Sequence, residues 1–173
     1  MEIRLRPYTE SDLLAIRRIW NEVVAAGNAF PGEKELSLQE CRDFFAAQTR
    51  TAVGEIDGRV EGVYILHPNN IGRAAHIANA SYAVSAAARG KGLGEALVRD
   101  SLEQLRPCGF AGLQFNAVVA TNRTALALYD KLGFVRVGTI PGGYRLADGS
   151  FVDIHICYHA APDAAKPRAG GQK

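Results

Sequence analysis

Residues 84–94 read Val84-Ser85-Ala86-Ala87-Ala88-Arg89-Gly90-Lys91-Gly92-Leu93-Gly94, a glycine-rich loop between an apolar stretch and an amphipathic one. Upstream, residues 76–85 read as a strand. Downstream, from Gly92 to about Arg106, Leu93, Leu97, Val98, Leu102 and Leu105 share one half of a helical wheel. Glu95, Arg99, Glu103 and Arg106 take the other half, which predicts a helix packing one face on a sheet. The loop thus opens onto a helix N-terminus, where unpaired amides and about half a positive charge favour an anionic group. Arg89 and Lys91 add two cations with no acid in the loop. An ordinary glycine-rich turn entering a helix would read the same way. Two familiar phosphate loops are excluded. The dinucleotide pattern G-x-G-x-x-G/A fails because Glu95 follows Gly90 and Gly92, and Leu97 follows Gly92 and Gly94. The Walker pattern fails because Gly90-Lys91 runs into Gly92, and position 85 is serine. What remains is Arg89-x-x-Gly92-x-Gly94.

Working outward, residues 2–6 alternate as a short strand. Thr9-Glu10-Ser11-Asp12 offers helix-capping chemistry, and Leu13, Ile16, Ile19, Trp20, Val23 and Val24 form one helical stripe, closed by Gly27 and Pro31. Ser37 and Glu40 form a capping box ahead of Leu38, Cys41, Phe44 and Phe45. Segments 51–56 and 59–66 are strands joined by Asp57-Gly58, a hairpin signal. Residues 68–75 read as a loop. After the glycine loop the pattern is a strand over 110–119, a helix from about Asn122 to Leu132, and strands near 134–140 and 151–158. The order is α+β. A single domain is expected over 1–160, with 161–173 a flexible tail without periodicity.

The spacing Arg89-x-x-Gly92-x-Gly94 resembles the acyl-CoA pyrophosphate loop of the GCN5-related N-acetyltransferase (GNAT) family. Asn122-Arg123-Thr124-Ala125-Leu126-Ala127-Leu128-Tyr129-Asp130-Lys131-Leu132-Gly133-Phe134 is similar to that family's N-x-x-A-x-x-L-Y-x-K-x-G-F segment. The two motifs cover about residues 76–140. The resemblance implies a mixed, V-shaped central sheet flanked by helices, and acetyl-CoA as co-substrate with no metal. It also implies that Arg89, Gly90, Lys91, Gly92 and Gly94 hold the pyrophosphate while the backbone near Val84 orients the pantetheine arm. Asn122 and Tyr129, seven apart, share a helix face. Asn122 can cap the helix while its amide reaches a ligand, and Tyr129 can protonate a departing thiolate. A packed core tyrosine is the plain alternative.

Asparagine is depleted from strands, yet strand 76–85 carries Asn79 and strand 110–119 carries Asn116 with Gln114. Both amides either satisfy irregular backbone or hold a small polar substrate. Many members of the resembled family place a glutamate on the first of these strands as general base. His76-Ile77-Ala78-Asn79-Ala80-Ser81-Tyr82 contains no acid. Without a base, a low-pKa acceptor is easier: an α-amine with a pKa of about 8 is roughly a tenth neutral at pH 7, a lysine side chain below about a thousandth. The same two segments resemble a subgroup that includes a fungal acetyltransferase of proline analogues. That likeness implies Asn79 and Asn116 as substrate or catalytic groups; with no acid on the strand, water relayed through Asn79 or a backbone carbonyl can take the amine proton. Phe30, in the loop Asn28-Ala29-Phe30-Pro31, is expected to roof the pocket or to staple two helices.

Composition sets the remaining bounds. In 173 residues, 20 Lys and Arg face 18 Asp and Glu, giving a net charge of +2 and no basic footprint for nucleic acid. Lys166, Arg168 and Lys173 against Asp163 place that surplus in the tail, so any anion site must be local. No apolar run spans a bilayer and the first residues lack a signal-peptide core, so a cytoplasmic protein without membrane contact is expected. Cys41, Cys108 and Cys157 form no framework and none lies in either motif, which disfavours an acetyl-cysteine route. His155 and His159, about 13 Å apart on a strand, do not suggest metal. The function expected is acetyl transfer to a small amino-acid-like amine. A protein or peptide acceptor, or a non-catalytic acyl-CoA sensor, are the rivals, and a homodimer is left open.

Overall fold

A computed structural model describes residues 1–162. Its elements are β1 (Ile3–Pro7), α1 (Leu13–Ala26), α2 (Leu38–Ala46), β2 (Arg50–Ile56), β3 (Arg59–Pro68), β4 (Ile77–Val84), α3 (Leu93–Gln104), β5 (Gly112–Val119), α4 (Arg123–Lys131), β6 (Val135–Arg145) and β7 (Phe151–Ala160). Local chemistry sets the boundaries. The six apolar residues of the α1 stripe are all buried, and the helix stops at Gly27, whose φ of 62° only glycine adopts cheaply. Ser37 and Glu40 cap α2 reciprocally. Asp57 (φ 49°) and Gly58 (φ 79°) turn β2 into β3.

The strands make one mixed sheet in the order β1-β2-β3-β4-β5-β7-β6, antiparallel except for β4 and β5. Those two pair only at Ile77 with Gly112 and Ala78 with Leu113, and then part. β5 also skips register against β7 between Phe115 and Val118. The sheet is therefore a V, hinged low on β4 and β5. One apolar layer, including Leu93, Leu97, Phe110, Leu113, Phe115 and Phe134, fills the face under α3 and α4. The other, including Ile16, Ile19, Trp20, Phe45, Val63 and Ile65, fills the face under α1 and α2.

Two boundaries differ from the sequence reading. β6 runs on to Arg145 through Pro141-Gly142-Gly143, with a register skip between Ile140 and Tyr144. β6 is the edge strand, and a bulge there accommodates proline, which lacks a ladder donor. At the C-terminus Ala161 is still docked: it is buried and its N–H donates to the Ala111 carbonyl at 2.9 Å. Most of the expected tail, 163–173, lies outside the described residues. Among the described residues, no helix is long and apolar enough to cross a membrane.

Candidate active site

A cleft of about 980 Å³ occupies the splay between β4 and β5. Its walls come from both sides of the sheet. Leu93, Gly94 and Val98 of α3 and Asn122 to Tyr129 around α4 line one end, and Asn28 to Pro31 after α1 line the other. Past Ala78 the β4 backbone has no β5 neighbour, so an extended ligand can pair with that edge as an added strand.

At the α3 end, Gly90 and Gly92 take φ of 75° and 82°, where a side chain would cost about 1–2 kcal/mol. The first helical bond of α3 is Ala96 N–H to the Gly92 carbonyl, 3.1 Å, leaving the amides of Leu93, Gly94 and Glu95 without a backbone acceptor. Three convergent donors at a helix N-terminus suit a phosphate. Arg89 lines this end, but Lys91 does not. Lys91 lines a separate hollow with Ile56, Asp57, Arg59 and Glu61, because the two left-handed glycines turn adjacent loop residues to opposite sides.

The sequence reading assigned Glu95 no role at the site, yet it lines the same end. Its carboxylate bonds Lys131 Nζ at 2.6 Å and Arg99 at 2.8 Å. Lys131 first, then Arg99, hold it below the usual carboxylate range. The pair ties α3 to α4, and it neutralises an acid that would otherwise repel an anion. Glu95 and Lys131 are 36 residues apart, so no local pattern announces the contact.

Asn122 Oδ1 accepts from Ala125 N–H at 3.2 Å, capping α4 and leaving its amide nitrogen available at the cleft. Tyr129 is wedged by its ring. Phe115 lies 4.5 Å and Phe134 5.3 Å from its centroid, and those two phenylalanines stack on each other at 4.8 Å. Among the described residues no group hydrogen-bonds the Tyr129 hydroxyl, which borders the cleft. Burial, and then the nearby Cys157, push its phenol well above the ordinary tyrosine range. It is therefore neutral, on a residue that lines the cleft.

The cysteines do not compete for the chemistry. Folding brings Cys157 of β7 close to Tyr129, though it is distant in sequence. It is buried in the core, and burial raises its thiol pKa, as it does for Cys41 and Cys108. None of the three lines the cleft. Among the described residues no group of three or more His, Cys, Asp or Glu is placed to hold a metal ion.

At the other end, Asn79 and Asn116 both line the cleft and are already engaged. Asn79 Nδ2 donates to the Gln114 carbonyl at 2.9 Å, bridging β4 and β5 just where they part. Asn116 accepts from Gln114 Nε2 at 2.9 Å and donates to Asn69 Oδ1 at 2.6 Å. Asn79 thus satisfies backbone that the splay leaves unpaired, and its oxygen has no hydrogen-bond partner among the described residues. Phe30 lines the cleft and packs on Trp20 of α1 with centroids 4.5 Å apart.

Comparison with known proteins bears on this arrangement. Residues 14–134 match the model of the acetyltransferase (GNAT) family. The chain is 29% identical over 160 residues to the N-acetyltransferase aca1 of Schizosaccharomyces pombe, covering 82% of this chain and 77% of that protein. A GCN5-related N-acetyltransferase from Kribbella flavida superposes with a TM-score of 0.84 at 35% identity, covering 91% of this chain and 97% of that one. A GNAT superfamily phosphinothricin acetyltransferase from Sinorhizobium meliloti, solved in complex with AcCoA, superposes at 0.87 with 25% identity over 98% and 95% of the two chains. With the splayed sheet, the glycine loop and the wedged tyrosine in one cleft, the chain belongs to the GNAT family of N-acetyltransferases.

Proposed function

We propose that this chain transfers the acetyl group of acetyl-CoA directly to the amine of a small amino-acid-like substrate. The observation that carries the reading is the continuity of the cleft, which joins a phosphate-suited helix end to an amide-lined end through the parted strands. Its volume is of the order expected for a sizeable ligand. Arg89 with the amides of Leu93, Gly94 and Glu95 would hold the pyrophosphate. Val84 and the open β4 edge would take the pantetheine, and Asn122 its amide groups. Phe30, Asn79 and Asn116 would meet the acceptor.

The chemistry follows from which groups are present. The amine lone pair forms the new N–C bond. The C–S bond breaks with its electrons left on sulfur, and the Tyr129 hydroxyl gives that sulfur a proton. The proton shed by nitrogen goes to water, because Glu95, the acid lining the cleft, is locked to Lys131 and Arg99. Solvent reprotonates Tyr129. A site without a dedicated base favours acceptors whose ammonium is more acidic than that of a lysine side chain, as an α-ammonium is. The relative named for phosphinothricin, a small amino acid, supports the same acceptor class.

The test is thiol release from acetyl-CoA across a panel of free amino acids and analogues, short peptides and lysine side chains, with products identified by mass. Turnover concentrated in the free amino acids is expected. Turnover confined to peptides would overturn the acceptor class. Tight acetyl-CoA binding with no turnover by any amine would favour a sensor.

A further inference from the structure

The segment that roofs the acceptor end carries no regular structure between α1 and α2, and its ends are well fixed. Gly27 caps α1, and Asn21 exchanges two hydrogen bonds of 2.9 Å with Leu36. Between those ends, the ties to the rest of the chain among the described residues are few. Phe30 rests its ring on Trp20, Lys34 pairs with Glu40, and Arg145 reaches Glu33 at 3.0 Å in an exposed pair. Ala29 also packs on the core beneath α1, and one further hydrogen bond remains, from the Tyr144 hydroxyl to the Phe30 carbonyl at 2.7 Å.

That last bond spans the molecule. The roof extends from α1, which packs on β3 and β4, whereas Tyr144 sits on β6, paired through β7 to β5. It therefore links the two arms of the V on the side away from α3 and α4. The strand is shaped for it. Gly142 takes φ of 59°, and a Cβ on Gly143 would come within 2.5 Å of Ile154 Cγ1. The resulting bulge between Ile140 and Tyr144 turns the tyrosine toward the roof. At the turn between β6 and β7, Ala147 Cβ lies 3.6 Å from where a Cβ on Gly27 would stand.

We propose that Tyr144 is a strut fixing the height of the roof over the acceptor end, so that the site admits small amines and resists larger ones. The selectivity part of this inference rests on the function proposed above; the strut itself does not. Tyr144 acts through Phe30 and is a positioning residue.

Tyr144→Phe removes the hydroxyl and keeps the ring, and two readouts separate the claims. Acrylamide quenching of Trp20, the one tryptophan in the chain and the seat of the Phe30 ring, should rise about fivefold, the equivalent of about 1 kcal/mol for one neutral hydrogen bond, with the helical circular dichroism unchanged. The KM for the best free amino acid should rise by a similar factor, while the Kd for acetyl-CoA stays constant and relative turnover of short peptides increases. Arg145→Ala, which breaks only the exposed pair, should leave the acceptor KM nearly unchanged. Unaltered Trp20 quenching in Tyr144→Phe overturns the strut whatever the activity. A loosened roof with unaltered acceptor preference overturns its role in selection. A wild-type protein that acetylates no amine contradicts the proposed function instead, and the quenching data still decide the strut.

Discussion

Tyr129 is positioned through its ring, and this frees its hydroxyl for chemistry. Phe115 and Phe134 hold the ring from two elements, so removing the oxygen should leave the packing intact. Tyr129→Phe is expected to lower kcat about a hundredfold or more, the usual contribution of a general acid, with the Kd for acetyl-CoA unchanged. The pH profile gives a second check. The raised phenol stays protonated well past the ordinary tyrosine value of about 10. Activity of the wild type should therefore climb as the acceptor amine deprotonates, reaching half its limit near the pKa of that amine, and should not fall again by pH 10. A decline near an ordinary tyrosine pKa, or a Phe variant of full activity, would remove Tyr129 from the acid role. The residue was legible in sequence because its motif is local. Glu95 and Lys91 were not: one acquires its partner from another helix, and the other is turned aside by two left-handed glycines.

The helix bearing the glycine loop must approach the sheet closely for its N-terminus to reach the splay. Gly54 and Gly62 face each other in register on β2 and β3 and make the room. A Cβ at Gly54 would stand 2.6 Å from Leu93 Cδ1, and one at Gly62 2.9 Å from Leu97 Cδ1. Both leucines are fully buried and have little space to yield. Gly62→Ala is thus expected to cost about 1–3 kcal/mol through overpacking, read as a fall in the denaturant midpoint at constant m. A variant as stable as wild type would show that α3 is not seated in this trough. The elements themselves were largely readable from stripes, caps and the Asp57-Gly58 turn. The glycine trough was not, since its function depends on strand register, a long-range property. The continuation of β6 past Pro141 was hidden for a related reason, because proline is compatible with a strand only at an edge and edges are fixed by topology.

Across the whole molecule, the decisive feature is that β4 and β5 pair for two residues and then separate, which opens one cleft to both faces of the sheet. A formal charge of only +2 leaves anion recognition to one loop and one helix end. The V shape itself entered the sequence reading by resemblance, since no periodicity encodes where two strands stop pairing. In the proposed reaction thioester and amine would meet in the parted region, and no cysteine lines the cleft. Such a site requires both substrates at once. Initial velocities measured over a grid of acetyl-CoA and amino acid concentrations test this most directly. Double-reciprocal lines that intersect are the predicted result. Parallel lines, the mark of an acetyl-enzyme formed before the amine binds, would contradict direct transfer through the cleft.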